Sequence, residues 1–192
     1  MAQLFFKYGT MNSGKSLQLL ATAHNYEEKG SHVLLLTAAA DNRFAKNKVA
    51  SRIGISEEAT PFSTTTRIAD LISVDNLLYD IDCILVDEAQ FLSKRQVSDL
   101  AAVVDMYDVP VICFGLKTDF QGHLFSGSEK LIELADKIEE IKTVCHFCDK
   151  KATMNLRLVD GIPTYSGEQI QIGDKEYISV CRKHYINPYN VD

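Results

Sequence analysis

No apolar run in this chain approaches the roughly 18 residues that a membrane-spanning helix needs. The aliphatic stretch Val33-Leu34-Leu35-Leu36 has the length of a buried strand. The N-terminus lacks the basic, apolar and small-residue regions of a secretory signal and enters a strand-like run at Leu4. A surplus of positive charge is missing too. Lys and Arg number 20 against 26 Asp and Glu, a net charge of −6. No basic stripe for a phosphate backbone follows from that balance, so nucleic acid is not an expected partner. Cysteine is sparse: five residues, two of them in C-x-x-C spacing and none behind a secretory signal. That usage points to thiolates in a reducing compartment, not to a disulfide framework. Internal repeats, low-complexity tracts and long linkers are absent. A cytoplasmic globular chain without a membrane partner is therefore expected. Its 192 residues, 46% hydrophobic and 24% charged, suit one domain plus a small appendage.

As far as about Val144, strand-like and helix-like segments alternate. Strands are expected at Leu4–Tyr8, His32–Thr37, Cys83–Val86, Val109–Phe114 and Glu140–Val144, all β-branched or aliphatic as in strands covered on both faces. Helical periods mark Leu17 to Lys29, Ile68 to Ile72, Val97 to Met106 with Ser93 as N-cap, and a segment from Ser126 through Ala135 opened by the capping-box pattern Ser126-Gly127-Ser128-Glu129. Thr37–Ser63 reads as loop and short helix. The alternation predicts an α/β fold, a mostly parallel sheet with helices on both faces. After Val144, short β-like pieces (Asn155–Leu158, Gln169–Ile172, Tyr177–Val180) alternate with Gly, Pro and Asp turns between cysteines. This predicts a nucleotide-binding unit over 1–144 and a small β-rich zinc-binding unit over 145–192.

Gly9-Thr10-Met11-Asn12-Ser13-Gly14-Lys15-Ser16 fits G-x-x-x-x-G-K-[ST], the phosphate-binding P-loop, and lies between a strand and a helix as such a loop requires. Backbone N–H groups and the helix N-terminus then aim at one anion, glycine lets the backbone approach, and Lys15 adds a point charge. Ile84-Leu85-Val86-Asp87-Glu88 is an apolar strand ending in acid. With a P-loop upstream it reads as a Walker B strand, Asp87 facing the nucleotide's metal and Ser16 binding Mg²⁺ through its hydroxyl. Strand alternation would turn Glu88 away from Asp87, so that one carboxylate serves the metal while its neighbour accepts a proton. If Glu88 takes the proton of an acceptor hydroxyl, the chain is a kinase; if it orients water, an NTPase carrying a zinc-ribbon partner-binding module.

Cys145-His146-Phe147-Cys148 and Cys181-Arg182-Lys183-His184 form C-x2-C and C-x2-H pairs, a donor set for a closed, structural tetrahedral Zn²⁺. His146 could stand in for one of the four. Cys83 and Cys113 lie in expected core strands and read as small buried hydrophobes. Leu116, Phe120 and Phe125, after the strand at Cys113, either wall a pocket for a flat heterocycle or are core beneath a loop.

Together, Gly9–Ser16, Asp41-Asn42-Arg43, Val86-Asp87-Glu88-Ala89-Gln90-Phe91, Gly115–Phe120, the Cys145/Cys148 pair and Tyr177-Ile178-Ser179-Val180-Cys181-Arg182 resemble the zinc-containing thymidine kinases of animal cytosol and many bacteria. The likeness runs from Gln3 to about Tyr185. It implies a RecA-like P-loop fold and transfer of the γ-phosphoryl of ATP to the 5′-hydroxyl of thymidine. By this resemblance Glu88 is the general base. Lys15, Ser16 and Asp87 serve phosphate and Mg²⁺, with Gln90 in the nucleotide site, and Arg43 holds phosphate and acceptor hydroxyl beside Asp41. The loop Ser166–Tyr177 corresponds to a lid whose backbone at Gln169, Ile170, Gln171, Ile172 and Gly173 meets the thymine edge. Tyr177 touches the nucleoside, Phe91, Leu116, Phe120 and Phe125 enclose the base, and Met11 and Asn155 fall near its methyl group. Feedback inhibition by dTTP and a homotetramer are implied as well. The chain departs from the family pattern at Gly173-Asp174, where Gly-Gly is common, at Lys117 and Gln121, where arginines are frequent, and at His184, where some relatives have cysteine.

Overall fold

The computed structural model describes residues 1–39, 47–73, 80–169 and 176–189. The chain begins with β1 (Leu4–Tyr8), α1 (Lys15–Glu27), β2 (Val33–Ala38), β3 (Lys48–Ala50), β4 (Ser56–Glu58), β5 (Thr60–Phe62) and α2 (Ile68–Ser73). It continues through β6 (Cys83–Val86), α3 (Lys94–Tyr107), β7 (Val111–Gly115), α4 (Ser126–Leu134) and β8 (Lys137–Glu140). The last described part holds β9 (Met154–Val159), β10 (Ile162–Thr164), β11 (Glu176–Val180) and α5 (Arg182–Ile186).

Six strands pair in the order β5-β2-β6-β7-β1-β8, every pairing parallel. The centre of this sheet has no polar face. In β6, Ile84 and Val86 pack toward α2, α3 and α4, while Cys83 and Leu85 pack toward α1 through Leu19, Leu20 and Ala23. A continuous aliphatic run has two apolar faces to hide, so helices must cover both. Each such side chain contributes about 1.5–3 kcal/mol by burial. The expected fold is the observed one. After β1 the chain crosses β7 and β6 to reach β2, so one strand, β7, separates the P-loop strand from the Asp87 strand. The carboxyl ends of β1, β6 and β7 share one edge of the sheet, where open α/β sheets bind ligands.

Ser93 caps α3 as expected: its hydroxyl accepts from the Gln96 N–H at 3.3 Å, and Gln96 Oε1 accepts the Ser93 N–H at 2.8 Å. The expected capping box at Ser126 is absent. Phe125 is the N-cap, and Ser128 turns its hydroxyl to the Leu116 carbonyl at 2.5 Å. The entry of α4 is set by close packing instead. A Cβ on Gly127 would stand 2.6 Å from the Leu92 carbonyl oxygen and 2.8 Å from that of Ala89. All the nearest atoms are backbone, which cannot swing aside. Gly127→Ala should therefore destabilise the fold by about 1–3 kcal/mol, read as a lowered midpoint in urea.

Two strand expectations shift. The edge strand is Lys137–Glu140, not Glu140–Val144. An edge strand hides one face only, so charged residues fit it: Lys7 pairs with Glu139 at 3.2 Å and Lys137 lies over the Phe5 ring at 5.9 Å. Thr37–Ser63, expected as loop and short helix, contains the antiparallel pair β3–β4 and the edge strand β5, which pairs with Leu36–Ala38. Beyond the main sheet, β9, β10 and β11 form a three-stranded antiparallel sheet in the order β10-β9-β11. Leu156, Ile178 and Val180 pack there against Cys145 and Cys181. The strand expected at Gln169–Ile172 falls mostly outside the described residues, and Gln169 itself sits in a bend.

Candidate active site

The phosphate loop leaves β1 at Gly9, whose N–H donates to the Gly115 carbonyl at 3.2 Å. A Cβ at Gly9 would collide with the Ser13 side chain and stand 2.7 Å from the Ile141 carbonyl oxygen. Asn12 and Gly14 take left-handed conformations, φ 62° and 85°; for Gly14 this conformation is free of the Cβ penalty. Lys15 is buried and donates to the Thr10 carbonyl at 2.7 Å. Inside the loop the Thr10 and Ser13 hydroxyls are buried without hydrogen-bond partners. Buried donors of this kind fit a ligand rich in acceptor oxygens, as a nucleotide's phosphates are.

Ser16, at the start of α1, donates to Asp87 Oδ2 at 3.1 Å. Burial, reinforced by repulsion from Glu88, pushes the Asp87 carboxyl up to about 7, although the Glu88 N–H, Ser16 and Lys15 favour its ionised form. Asp87 and Glu88 diverge, but not through strand alternation. Strand β6 ends at Val86, and Glu88 adopts φ 52°, ψ 40°, which turns the chain into the 3-10 segment Ala89–Phe91. Gln90 Nε2 then donates to Glu88 Oε2 at 2.5 Å, while Gln90 Oε1 accepts the Leu116 N–H at 3.0 Å. Gln90 is buried, so it fastens Glu88 to the loop after β7.

Phe91 and Phe125 meet edge to face at 5.9 Å, and Phe120 and Tyr177 at 6.5 Å. Phe120 and Phe125 are buried and Leu116 is half-buried. One face of Phe120 is covered by the Arg157 guanidinium, 4.7 Å from the ring centroid. Asn155 accepts the Met11 N–H at 2.8 Å and donates to the Thr118 carbonyl at 3.2 Å. Gln169 donates to Asp119 Oδ2 at 2.8 Å. Thus Met11, Phe91, Leu116, Phe120, Phe125, Asn155, Gln169 and Tyr177 are linked around the carboxyl edge of β1, β6 and β7. Asp41, Arg43, Ile170, Gln171, Ile172 and Gly173 lie outside the described residues.

Asp119 and Arg157 also shape the site, although no catalytic or binding motif assigns them a role. Asp119 Oδ1 accepts the N–H groups of Gln121 and His123, both at 2.9 Å, and thereby shapes the loop after β7. Its signal was legible in Asp119-Phe120-Gln121-Gly122, a turn sequence in which Asp bonds backbone two residues on. Arg157 is buried with Nε and Nη1 unpartnered, a charge in the middle of a β-like run.

Cys145, Cys148, Cys181 and His184 converge, their ligand atoms all within 4.8 Å of one another. His184 Nδ1 stands 3.4 Å from the sulfurs of Cys145 and Cys181, and the Cys148 and Cys181 sulfurs are 3.9 Å apart. Ligands held tetrahedrally around one Zn²⁺ would stand about 3.5–3.8 Å apart, so the donor set fits. Burial raises the Cys145 thiol, but the N–H groups of Cys181 and Phe147 and the side chains of His184 and Cys148 outweigh it and hold it at about 6. A depressed thiol suits a thiolate ligand. His146 lies outside the four and packs edge-on to Phe147 at 5.0 Å. Cys83 and Cys113 are fully buried in β6 and β7, as expected, and burial raises both thiols.

No helix among the described residues is long and apolar enough to cross a membrane. The sequence model of the thymidine kinase family matches residues 2–185. The thymidine kinase of Streptococcus agalactiae (serotype Ia) is 58% identical over 189 residues, covering 98% of this chain and 99% of that protein. That of Lactococcus lactis is 57% identical with the same two coverages. The thymidine kinase of Enterococcus faecalis is 53% identical over 193 residues, covering 100% of this chain and 98% of that protein. Nearly end-to-end likeness at this level, on a chain whose own geometry joins a phosphate loop to an acid-tipped strand and a Cys3His cluster, means that the chain belongs to the thymidine kinase family.

Proposed function

We propose that this chain transfers the γ-phosphoryl group of ATP to the 5′-hydroxyl of thymidine, giving dTMP and ADP. The observation that carries this reading is the pair Asp87–Glu88. One carboxylate is bonded to the phosphate-loop Ser16, the other is held by Gln90 on the side of Leu116. Metal-facing acid and proton acceptor are thereby separated by a single peptide. Residues 1–144 form the nucleotide-binding unit in this reading, and 145–192 carry the structural Zn²⁺ on Cys145, Cys148, Cys181 and His184.

In the reaction, the backbone of Gly9–Ser16 and the Lys15 ammonium hold the phosphates. Ser16 and Asp87 would hold Mg²⁺, and the charge such an ion supplies when bound would offset that of the transferred phosphoryl group. Glu88 takes the proton of the 5′-hydroxyl as the oxygen attacks, an in-line displacement that needs positioning more than covalent chemistry. Arg43, near Asp41, steadies the transferred phosphoryl. Phe91, Leu116, Phe120 and Phe125 enclose the base, Met11 and Asn155 meet its methyl side, and Tyr177 with the backbone from Gln169 to Gly173 closes over it. Family membership further supports a cytoplasmic homotetramer inhibited by dTTP.

The test is an ADP-release assay with Mg·ATP and no nucleoside, thymidine, deoxycytidine or deoxyguanosine. Release that appears with thymidine and stays at background without nucleoside is the expected result. Equal release in every tube would instead mean an NTPase, with Glu88 orienting water.

Asp87 adds a pH dependence. In the metal-free protein its folded value, about 7, lies above an unfolded value near 3.9. Its contribution to stability is therefore complete below about pH 4 and is lost as pH rises through about 7. Metal must displace the proton. Binding of Mg²⁺ with a non-hydrolysable ATP analogue should release up to one proton below pH 7 and weaken up to about tenfold per pH unit. Calorimetry in buffers of different ionisation enthalpy reads both; binding that is flat from pH 5.5 to 8 would mean that Asp87 is already ionised before the metal arrives.

A further inference from the structure

Met11, the third residue of the phosphate loop, is gripped from outside the loop at both of its backbone polar groups. Its N–H donates to Asn155 Oδ1 at 2.8 Å, and its carbonyl accepts from the Ser179 hydroxyl. Asn155 and Ser179 are buried, and they stand directly opposite each other in the antiparallel pairing of β9 with β11. Cross-strand partners project from the same face of a sheet, so the two side chains form one two-pronged grip. Each prong is anchored. Asn155 also donates to the Thr118 carbonyl at 3.2 Å, and the Ser179 carbonyl accepts the His146 N–H at 2.8 Å, between the first two cysteines of the metal-binding cluster. Two residues beyond Ser179, Cys181 supplies the third thiol.

We infer that Asn155 and Ser179 are positioning residues that hold the phosphate loop in its binding shape and tie that shape to the Cys3His cluster. The loop needs such support. Asn12 carries a left-handed backbone without being glycine, a conformation that asparagine bears better than other side chains but that still draws support from its surroundings. The loop's own Thr10 and Ser13 hydroxyls have no protein partner, so they do not brace it in the absence of ligand. With both Met11 groups bonded, neither flanking peptide can rotate without breaking a hydrogen bond. A contiguous path runs from the metal ligands through the His146 N–H and Ser179 to Met11, and from there into residues that meet phosphate. The inference rests on the phosphate loop binding nucleotide, as proposed above.

Ser179 is the cleaner prong to test, because Asn155 also meets the nucleoside in the proposed reaction. Zinc-loaded full-length protein with Ser179→Ala should keep its zinc, bind a non-hydrolysable ATP analogue with Mg²⁺ roughly three- to tenfold more weakly, and exchange the amides of residues 9–16 faster. Ser179→Thr, which keeps the hydroxyl, should restore both readouts. Unchanged affinity and unchanged exchange in Ser179→Ala would overturn the inference. Should that variant not fold, the unmutated protein decides. As zinc is withdrawn, protection of the Met11 amide should fall together with that of the β9–β11 sheet and ahead of β6 and β7. Protection of Met11 that outlasts the β9–β11 sheet would overturn the grip. The exchange readout uses no nucleotide, so a wild-type protein that binds none would count against the proposed function and leave the grip to be judged by exchange.

Discussion

Glu88→Gln should lower kcat for thymidine phosphorylation by roughly 10²–10⁴-fold, the span expected when a positioned general base is lost. Binding of Mg·ATP should stay within about threefold, because the isosteric amide keeps the size of the side chain and its contact with Gln90. The backbone supports this choice of variant. Residue 88 is left-handed, φ 52°, and glutamine pays there the same penalty as glutamate. Gln90 Nε2 now donates to a carboxylate oxygen at 2.5 Å and can donate, more weakly, to an amide oxygen, so the 3-10 turn and the Leu116 N–H keep their partners. Repulsion that raises Asp87 would be removed, which shifts its titration downward and favours metal. A fall in kcat thus cannot be charged to weaker metal binding. Single-turnover kinetics with saturating thymidine isolates the chemical step. Turnover near the wild-type value, with the protein folded, would take the base role away from Glu88.

The features legible in the sequence are those whose physics is local. Strand β6 is apolar at all four positions and buried at all four, which needs no knowledge of the rest of the chain. The phosphate loop and the two halves of the Cys3His cluster are runs of four to eight neighbouring residues whose spacing alone carries the chemistry. The Ser93 cap was legible because the Gln96 that answers it is three residues away. Ser126 shows the limit: the same pattern fails where Gly127 must press against the carbonyls of Ala89 and Leu92, a tertiary demand invisible to a four-residue motif. Strand β8 was misplaced because an edge strand lacks the apolar run that marks a central one. The divergence of Asp87 and Glu88 was expected, but its cause, a left-handed turn in place of strand alternation, was not. The grip on Met11 was out of reach altogether, since its partners lie 144 and 168 residues away in the chain.

Cys145→Ser should cost the chain most of its zinc and lower its melting temperature by more than about 10 °C. The size follows from how little else holds this part together. The buried apolar cluster around the metal ligands consists of Leu156, Ile178 and Val180 with Cys145 and Cys181 themselves, rimmed by the partly buried Phe147, Met154, Leu158 and Tyr185. Three aliphatic side chains at about 1.5–3 kcal/mol each fall short of ordering a three-stranded sheet, whereas binding of a structural zinc ion contributes on the order of 10 kcal/mol. Removing one thiolate also leaves Cys181 and His184 buried without the cation that would compensate them. Metal analysis should give well under one zinc per chain. Circular dichroism should retain the signal of the parallel sheet and its helices, whose two cores do not include these residues. Catalysis should fall even though no phosphate ligand has changed, because Tyr177, Gln169 and the Asn155–Ser179 grip on the phosphate loop all come from this segment. Full zinc occupancy in Cys145→Ser would mean that another donor completes the set. His146, one residue along and tied by its N–H to Ser179 at 2.8 Å, is the nearest donor by position, and the double variant Cys145→Ser/His146→Ala would then have to lose the metal.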